Sequence, residues 1–226
     1  MRRFVFIFIV IVISTNLFAH TSHYKNFKRI EMEIFKDQKL IGYNKYFFTR
    51  EGNILTVKSQ LQFKVNLFGV EVFHVENYGV EKYEKNKLIS YQSKTLQNDK
   101  EKFVDLIYDP DKDKFNIKGS SYTGLAETNL IIGNWWNHQV LQVNSQISPI
   151  SGSIKDQVVT FLGKEKIELY GKIIDADHFK LTSKDMSISK DKRLDFDIWY
   201  DNKNDLIMKV SYSRMGNWEY RLKNYE

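Results

Sequence analysis

Apolar and polar residues alternate with a period of two along most of the chain. At 29–35, Ile30, Met32 and Ile34 fall on one side and Arg29, Glu31 and Glu33 on the other. Successive side chains of a strand point to opposite faces, so this pattern predicts a strand with one buried face. The same grammar recurs at 41–49, 54–65, 70–83, 88–95, 102–108 and 114–117. It returns at 157–162, 166–174, 178–183, 193–200, 206–212 and 218–222. Turn residues punctuate these runs: Asp37-Gln38, Glu51-Gly52-Asn53, Glu84-Lys85-Asn86, Asp109-Pro110-Asp111 and 201–204.

One window departs from the two-residue period. Leu130, Ile131, Trp135, His138 and Leu141 recur at three- and four-residue steps, which predicts one short helix near 125–143. About 10–12 antiparallel strands in one domain must close or fold over to hide an apolar face. The expected fold is therefore all-β, a single antiparallel barrel or strongly curved half-barrel carrying that helix.

The start of the chain has a different character. Arg2-Arg3 is basic, 4–13 is uninterruptedly apolar, and Leu17-Phe18-Ala19 offers a small-residue exit, the three-part layout of a secretory signal peptide. The apolar run is too short for a membrane-spanning helix, which needs about 20 residues; the alternative to a cleaved leader is an uncleaved N-terminal anchor. The expectation is a leader at 1–19, a single β domain at 20–226, periplasmic localisation, and no stable membrane span after cleavage.

The 226 residues include no cysteine, which excludes disulfides, thiolate metal sites, a cysteine nucleophile and a cysteine-linked lipid anchor. The net charge is +6, yet only seven of the 34 basic residues are arginine and the lysines are scattered. Nucleic-acid surfaces concentrate basic residues and favour arginine forks, so no nucleic-acid partner is expected.

The stretch 63–73 continuing to Glu81-Lys82-Tyr83 ("FKVNLFGVEVFHVENYGVEKY"), with 88–98, Trp136-Asn137, 194–200 ("LDFDIWY") and Tyr220-Arg221-Leu222, resembles an uncharacterised family of exported proteobacterial β proteins, the domain-of-unknown-function 6134 family. Order and spacing agree over nearly all of 20–226. Trp135 stands where that family more often has tyrosine, and Asp99 where glycine is commoner. The resemblance implies an exported, mostly β domain and brings no catalytic residues.

Four neighbours form the first candidate site: Trp135, Trp136, Asn137 and His138. Two adjacent tryptophans cannot share one surface, since neighbours alternate on a strand and sit about 100° apart on a helix. One reading makes them the rim of a ligand site, with rings for contact area and the amide and imidazole for orientation. The other makes them a plug that caps one end of the core. Asp195 and Asp197 share a strand face and could serve acid–base chemistry or a hard cation, although the apolar opposite face suits a core and leaves them solvated. His178 sits beside Asp175 and Asp177 at an expected turn. His20 and His23 would lie at or near a mature N-terminus, where amine and imidazole chelate copper. Ser148 to Ser153 lacks the G-x-S-x-G elbow and reads as a loop. No cofactor motif is present.

Three functions remain open at this level. The first is binding or carrying an apolar small molecule or lipid on a concave face. The second is a structural or assembly role beside an envelope protein, with a filled core. The third, a hydrolase using Asp195, Asp197 or a histidine, fits the sequence least, and a non-enzymatic role is expected.

Overall fold

The computed structural model describes Tyr24 and residues 26–226. The leader at 1–19 and the histidines His20 and His23 lie outside the described residues. Most of the described residues are strand. From the N-terminal side these are β1 (Arg29–Lys36), β2 (Lys39–Glu51), β3 (Ile54–Leu67), β4 (Val70–Glu84), β5 (Lys87–Gln97), β6 (Lys100–Asp109), β7 (Lys114–Gly119) and β8 (Thr123–Glu127). Then follow β9 (Ile131–Ile132), β10 (Ser145–Ile147), β11 (Ile154–Leu169), β12 (Lys172–Ser183), β13 (Asp195–Asp201), β14 (Leu206–Ser213) and β15 (Asn217–Tyr225).

All 15 strands belong to one sheet, in the order β8-β7-β6-β5-β4-β3-β2-β1-β15-β14-β13-β12-β11-β10-β9. Its middle is the antiparallel seam of β1 with β15, running from Ile30 opposite Tyr225 to Lys36 opposite Trp218. Two arms spread from that seam to the edge strands β8 and β9, antiparallel throughout except for the last pair, where β9 runs parallel to β10. These edges are consecutive in the chain, joined only by residues 128–130. Four Cα steps reach at most about 15 Å, so the connected ends of the two edges lie close together. The sheet therefore curls into a barrel-like shell, but no ladder joins β8 to β9 and the ring of strand pairing is open.

The expected alternation sets the inside. Ile30, Met32 and Ile34 of β1 are buried, as are Leu55, Val57 and Phe63 of β3. The inward residues divide into two clusters. One gathers Tyr24, Ile30, Tyr46, Phe48, Tyr83 and Phe115 with others. The second gathers Met32, Ile34, Phe63, Ile198, Val210 and Trp218.

Three local differences from the sequence pattern have clear causes. The short helix expected near 125–143 is a single 3-10 turn at His138–Leu141, preceded in the same window by the end of β8 and by β9 and followed just beyond it by β10. These pieces are too short to display a period, which is also why the strand count exceeds 10–12. The run 166–174 is broken by a hairpin turn at Tyr170-Gly171, where both residues have positive φ, 53° and 76°. A tyrosine at the first turn position hides that turn from composition. His178 consequently sits in the middle of β12, rather than at a turn.

Candidate functional site

Beyond β8 the chain turns inward through a largely buried segment that carries the short edge strands β9 and β10 before β11 begins. The Trp pair lies on this inner segment. Asn137 has an extended backbone and its Oδ1 accepts the Gln139 backbone N–H at 3.1 Å, which starts the 3-10 turn. Just ahead of it, Trp135 and Trp136 lie in a turn, and their rings enter different clusters.

Trp136 is 1% exposed. Tyr24, Phe48 and Tyr83 surround its ring edge-on at 5.0, 5.4 and 5.9 Å, the geometry the ring quadrupole favours. Trp135 belongs to the other cluster, 5.1 Å from Phe196 and 6.3 Å from Tyr220. His138 Nδ1 lies 2.7 Å from the Tyr24 hydroxyl, and the His138 backbone N–H donates to the same oxygen at 3.0 Å. Burial pushes the Tyr24 phenol far above its usual range. The tyrosine hydroxyl thereby fixes both the ring and the backbone of His138.

The polar centre of the interior is Glu81 on β4, which is 1% exposed. Its Oε1 accepts the Trp136 indole N–H at 2.9 Å and the Asn134 amide at 2.6 Å. Its Oε2 accepts the Tyr83 hydroxyl at 2.5 Å. Removal from water raises the Glu81 carboxyl above the usual carboxylate range, against the opposing pull of these three donors. The carboxyl ties the inner segment to the wall of the shell.

Other inward polar groups anchor the rest of the segment. Tyr46 OH accepts the Trp135 backbone N–H at 3.2 Å and the Asn44 amide at 2.6 Å. Tyr91 OH and Ser93 Oγ both donate to the Pro149 carbonyl, at 2.9 and 2.7 Å. Gln157 Nε2 donates to the carbonyls of Val140 and Val143 at 2.7 and 3.0 Å. Buried polar groups need partners, and here the partners are largely the backbone of the segment that fills the shell.

A second constellation lies on the outside. His178 Nε2 is 3.0 Å from Asp197 Oδ1, and its Nδ1 is 3.0 Å from Glu165 Oε1. Its ring stacks on Trp199 at 4.6 Å, and Lys209 Nζ sits 4.7 Å over the same indole. Lys180 Nζ pairs with both Asp195 and Asp197 at 2.8 Å. The two aspartates do share one face, as spacing suggested, and both are held in ion pairs. An open polar depression of about 320 Å3 adjoins them, bounded also by Gln38, Tyr212 and Glu219. Trp135, Trp136, Asn137 and His138 do not border it. Among the described residues, no cluster of three or more His, Asp or Glu side chains is arranged to hold a metal ion.

Glu81, Tyr83, Tyr46 and Tyr24 are the residues that sequence reasoning missed. The signal for Glu81 was its parity: Val75, Asn77, Gly79, Glu81 and Tyr83 alternate on one face of β4, and a charge on a buried face calls for partners.

A domain of unknown function, DUF6134, matches residues 32–223. No curated protein sequence matches the chain. The fold is similar to a solved β-barrel-like protein of the domain of unknown function DUF1849 from Brucella abortus, with a TM-score of 0.61 at 9% identity. That likeness covers 88% of this chain and 96% of the other, and it concerns the fold alone. The chain belongs to the DUF6134 family.

Proposed function

We propose that the protein is a non-catalytic module of the cell envelope, exported by the leader at 1–19, whose core is filled by its own chain. It works through its outer surface, on an envelope partner. The observation that carries this reading is the Trp136–Glu81 bond inside the shell, where a carrier would hold its cargo. Trp136 and the surrounding rings occupy that space, and Glu81, Tyr46, Tyr91 and Ser93 spend their hydrogen-bonding capacity on the inner segment. An apolar ligand would have to displace a tryptophan that is 1% exposed, along with its bond to a buried carboxyl.

Support for a non-catalytic role comes from the outer constellation. Asp197 is shared between Lys180 and His178, and Asp195 is taken by Lys180, so neither carboxylate faces a substrate unencumbered. The test is native mass spectrometry of the protein purified from its own host's periplasm, together with displacement of a fluorescent fatty acid. The expected result is a bare polypeptide mass lacking residues 1–19 and no saturable uptake of the probe. A stoichiometric lipid in the spectrum would replace this reading with a carrier.

A further inference from the structure

Strands of a meander alternate in direction, so the turns at 37–38, 68–69, 98–99 and 214–216 share one rim of the shell. Two of these turns are anomalous. Phe68 is 98% exposed and Met215 is 92% exposed. Both have φ of 50°, the left-handed region where Asn, Asp and Gly are favoured. Asp37, Asn86 and Asn98 occupy positive-φ turn positions in the ordinary way. A large apolar side chain at such a point strains the backbone and buries nothing, so folding gains nothing from it. Tyr170 shows the contrast. It too has positive φ, but its hydroxyl donates to Glu33 at 2.6 Å and Lys223 Nζ lies 4.4 Å over its ring.

The Phe68 turn also stands clear of the shell. Pairing of β3 with β2 stops at Phe63, and pairing of β4 with β5 stops at Val75. Beyond these points β3 and β4 pair only with each other, as an arm about 15 Å long. Leu67, Val70 and Val72 are exposed on it.

Charge is distributed unequally between the two rims. Lys39, Lys190, Lys192 and Arg214 are exposed on the rim that carries Phe68 and Met215. The carboxylates of Asp37 and Glu71 on that rim are paired with Lys36 and Lys64, and the exposed Asp99, Asp185 and Asp191 have Lys100, Lys184 and Lys192 as sequence neighbours. On the opposite rim, the turns at 109–113 and 201–205 hold five aspartates, of which Asp201 is buried, against Lys112 and Lys203, and the turn at 85–86 adds the exposed Lys85 and Lys87. The two apolar tips are separated by four strand spacings, about 20 Å along the sheet.

We infer that this rim docks on an anionic phospholipid surface. Phe68, with Leu67 and Val70, and Met215 enter the headgroup–acyl boundary, while the lysines and Arg214 meet the phosphates. Two apolar tips set far apart and interspersed with cations fit a flat, extended, negatively charged surface, and the acidic opposite rim orients the molecule upon it. This inference rests on the reading that the protein acts through its outer surface, and it names the partner.

The test is co-sedimentation of the mature chain with phosphatidylglycerol–phosphatidylethanolamine vesicles, beside pure phosphatidylcholine vesicles. Binding is expected to the anionic vesicles, weakened by high salt, with little to the neutral ones. The double variant Phe68→Asn with Met215→Asn is expected to bind about tenfold more weakly, a loss of about 1.4 kcal/mol. Its thermal unfolding should be unchanged or raised, because Asn suits left-handed turns. Indifference of the wild-type chain to anionic vesicles, or undiminished binding by the double variant, overturns the inference and turns attention to a protein partner. Lipid that remains with the protein after the vesicles are pelleted would instead overturn the filled-core reading and leave the docking intact, so the two failures are separable.

Discussion

Trp136 and Glu81 lie 55 residues apart in sequence and meet inside the shell, the indole N–H donating to Oε1 across 2.9 Å. The contact joins the inner segment to β4 with one hydrogen bond and places the ring among Tyr24, Phe48 and Tyr83. Trp136→Ala should therefore lower stability by about 3 to 5 kcal/mol, as other buried large-to-small changes do. Trp135→Ala should be milder, since that ring is only half-buried and caps the second cluster from one side. Denaturant unfolding of both variants beside wild type measures the difference, and equal losses would contradict the division of the pair between two cores.

Glu81 gives the protein a pH dependence of definite sign. Because burial raises its carboxyl, the native state holds the proton more tightly than the unfolded chain does. Its contribution is complete below the ordinary value of 4.5 and is lost as pH rises through the folded value. Glu81→Gln retains an acceptor for Trp136 and Asn134 and removes the titration. The variant should match wild type in mild acid and become relatively more stable towards neutral and alkaline pH. Melting temperatures across that range check it, and a gap that narrows with rising pH would show that the carboxylate, not the acid, is the native form.

The loop at 148–153 depends on a glycine in β7. A Cβ at Gly119 would fall 2.7 Å from the Ser151 carbonyl oxygen and 3.1 Å from Gly152 Cα, both backbone atoms. Gly119→Ala must push this loop away from the wall and disturb the two bonds that hold the Pro149 carbonyl. The expected destabilisation is about 1 to 3 kcal/mol, the usual cost of overpacking. Hydrogen exchange at Ser121, whose N–H donates to Ser151 at 2.9 Å, should report the displacement locally.

Asp197 should matter much less. Its side chain is 31% exposed and that of its partner Lys180 is 33% exposed, so solvent screens the pair. Asp197→Asn is expected to change the unfolding free energy by less than about 1 kcal/mol. Chemical denaturation measures this, and a loss several times larger would mark the outer constellation as a structural or functional centre in its own right.

The sequence by itself determined the strands, their faces and much of the turn chemistry. These rest on a two-residue period and on side chains that prefer particular backbone regions, both local properties of the chain. β1, with Ile30, Met32 and Ile34 inward, and the hairpin at Gly52 could be read directly. The adjacent tryptophans also announced that two different surfaces must receive them. Tertiary structure alone decided which surfaces these were. It paired β1 with β15, turned the segment around 130–141 inward, and brought Glu81, Tyr46 and Tyr24 to the Trp pair from positions far away in sequence. It likewise moved His178 from an expected turn to the middle of a sheet, between Glu165 and Asp197. Such meetings depend on strand order and sheet curvature, which a period of two cannot encode, because it fixes the face a residue occupies and not the neighbour across the core.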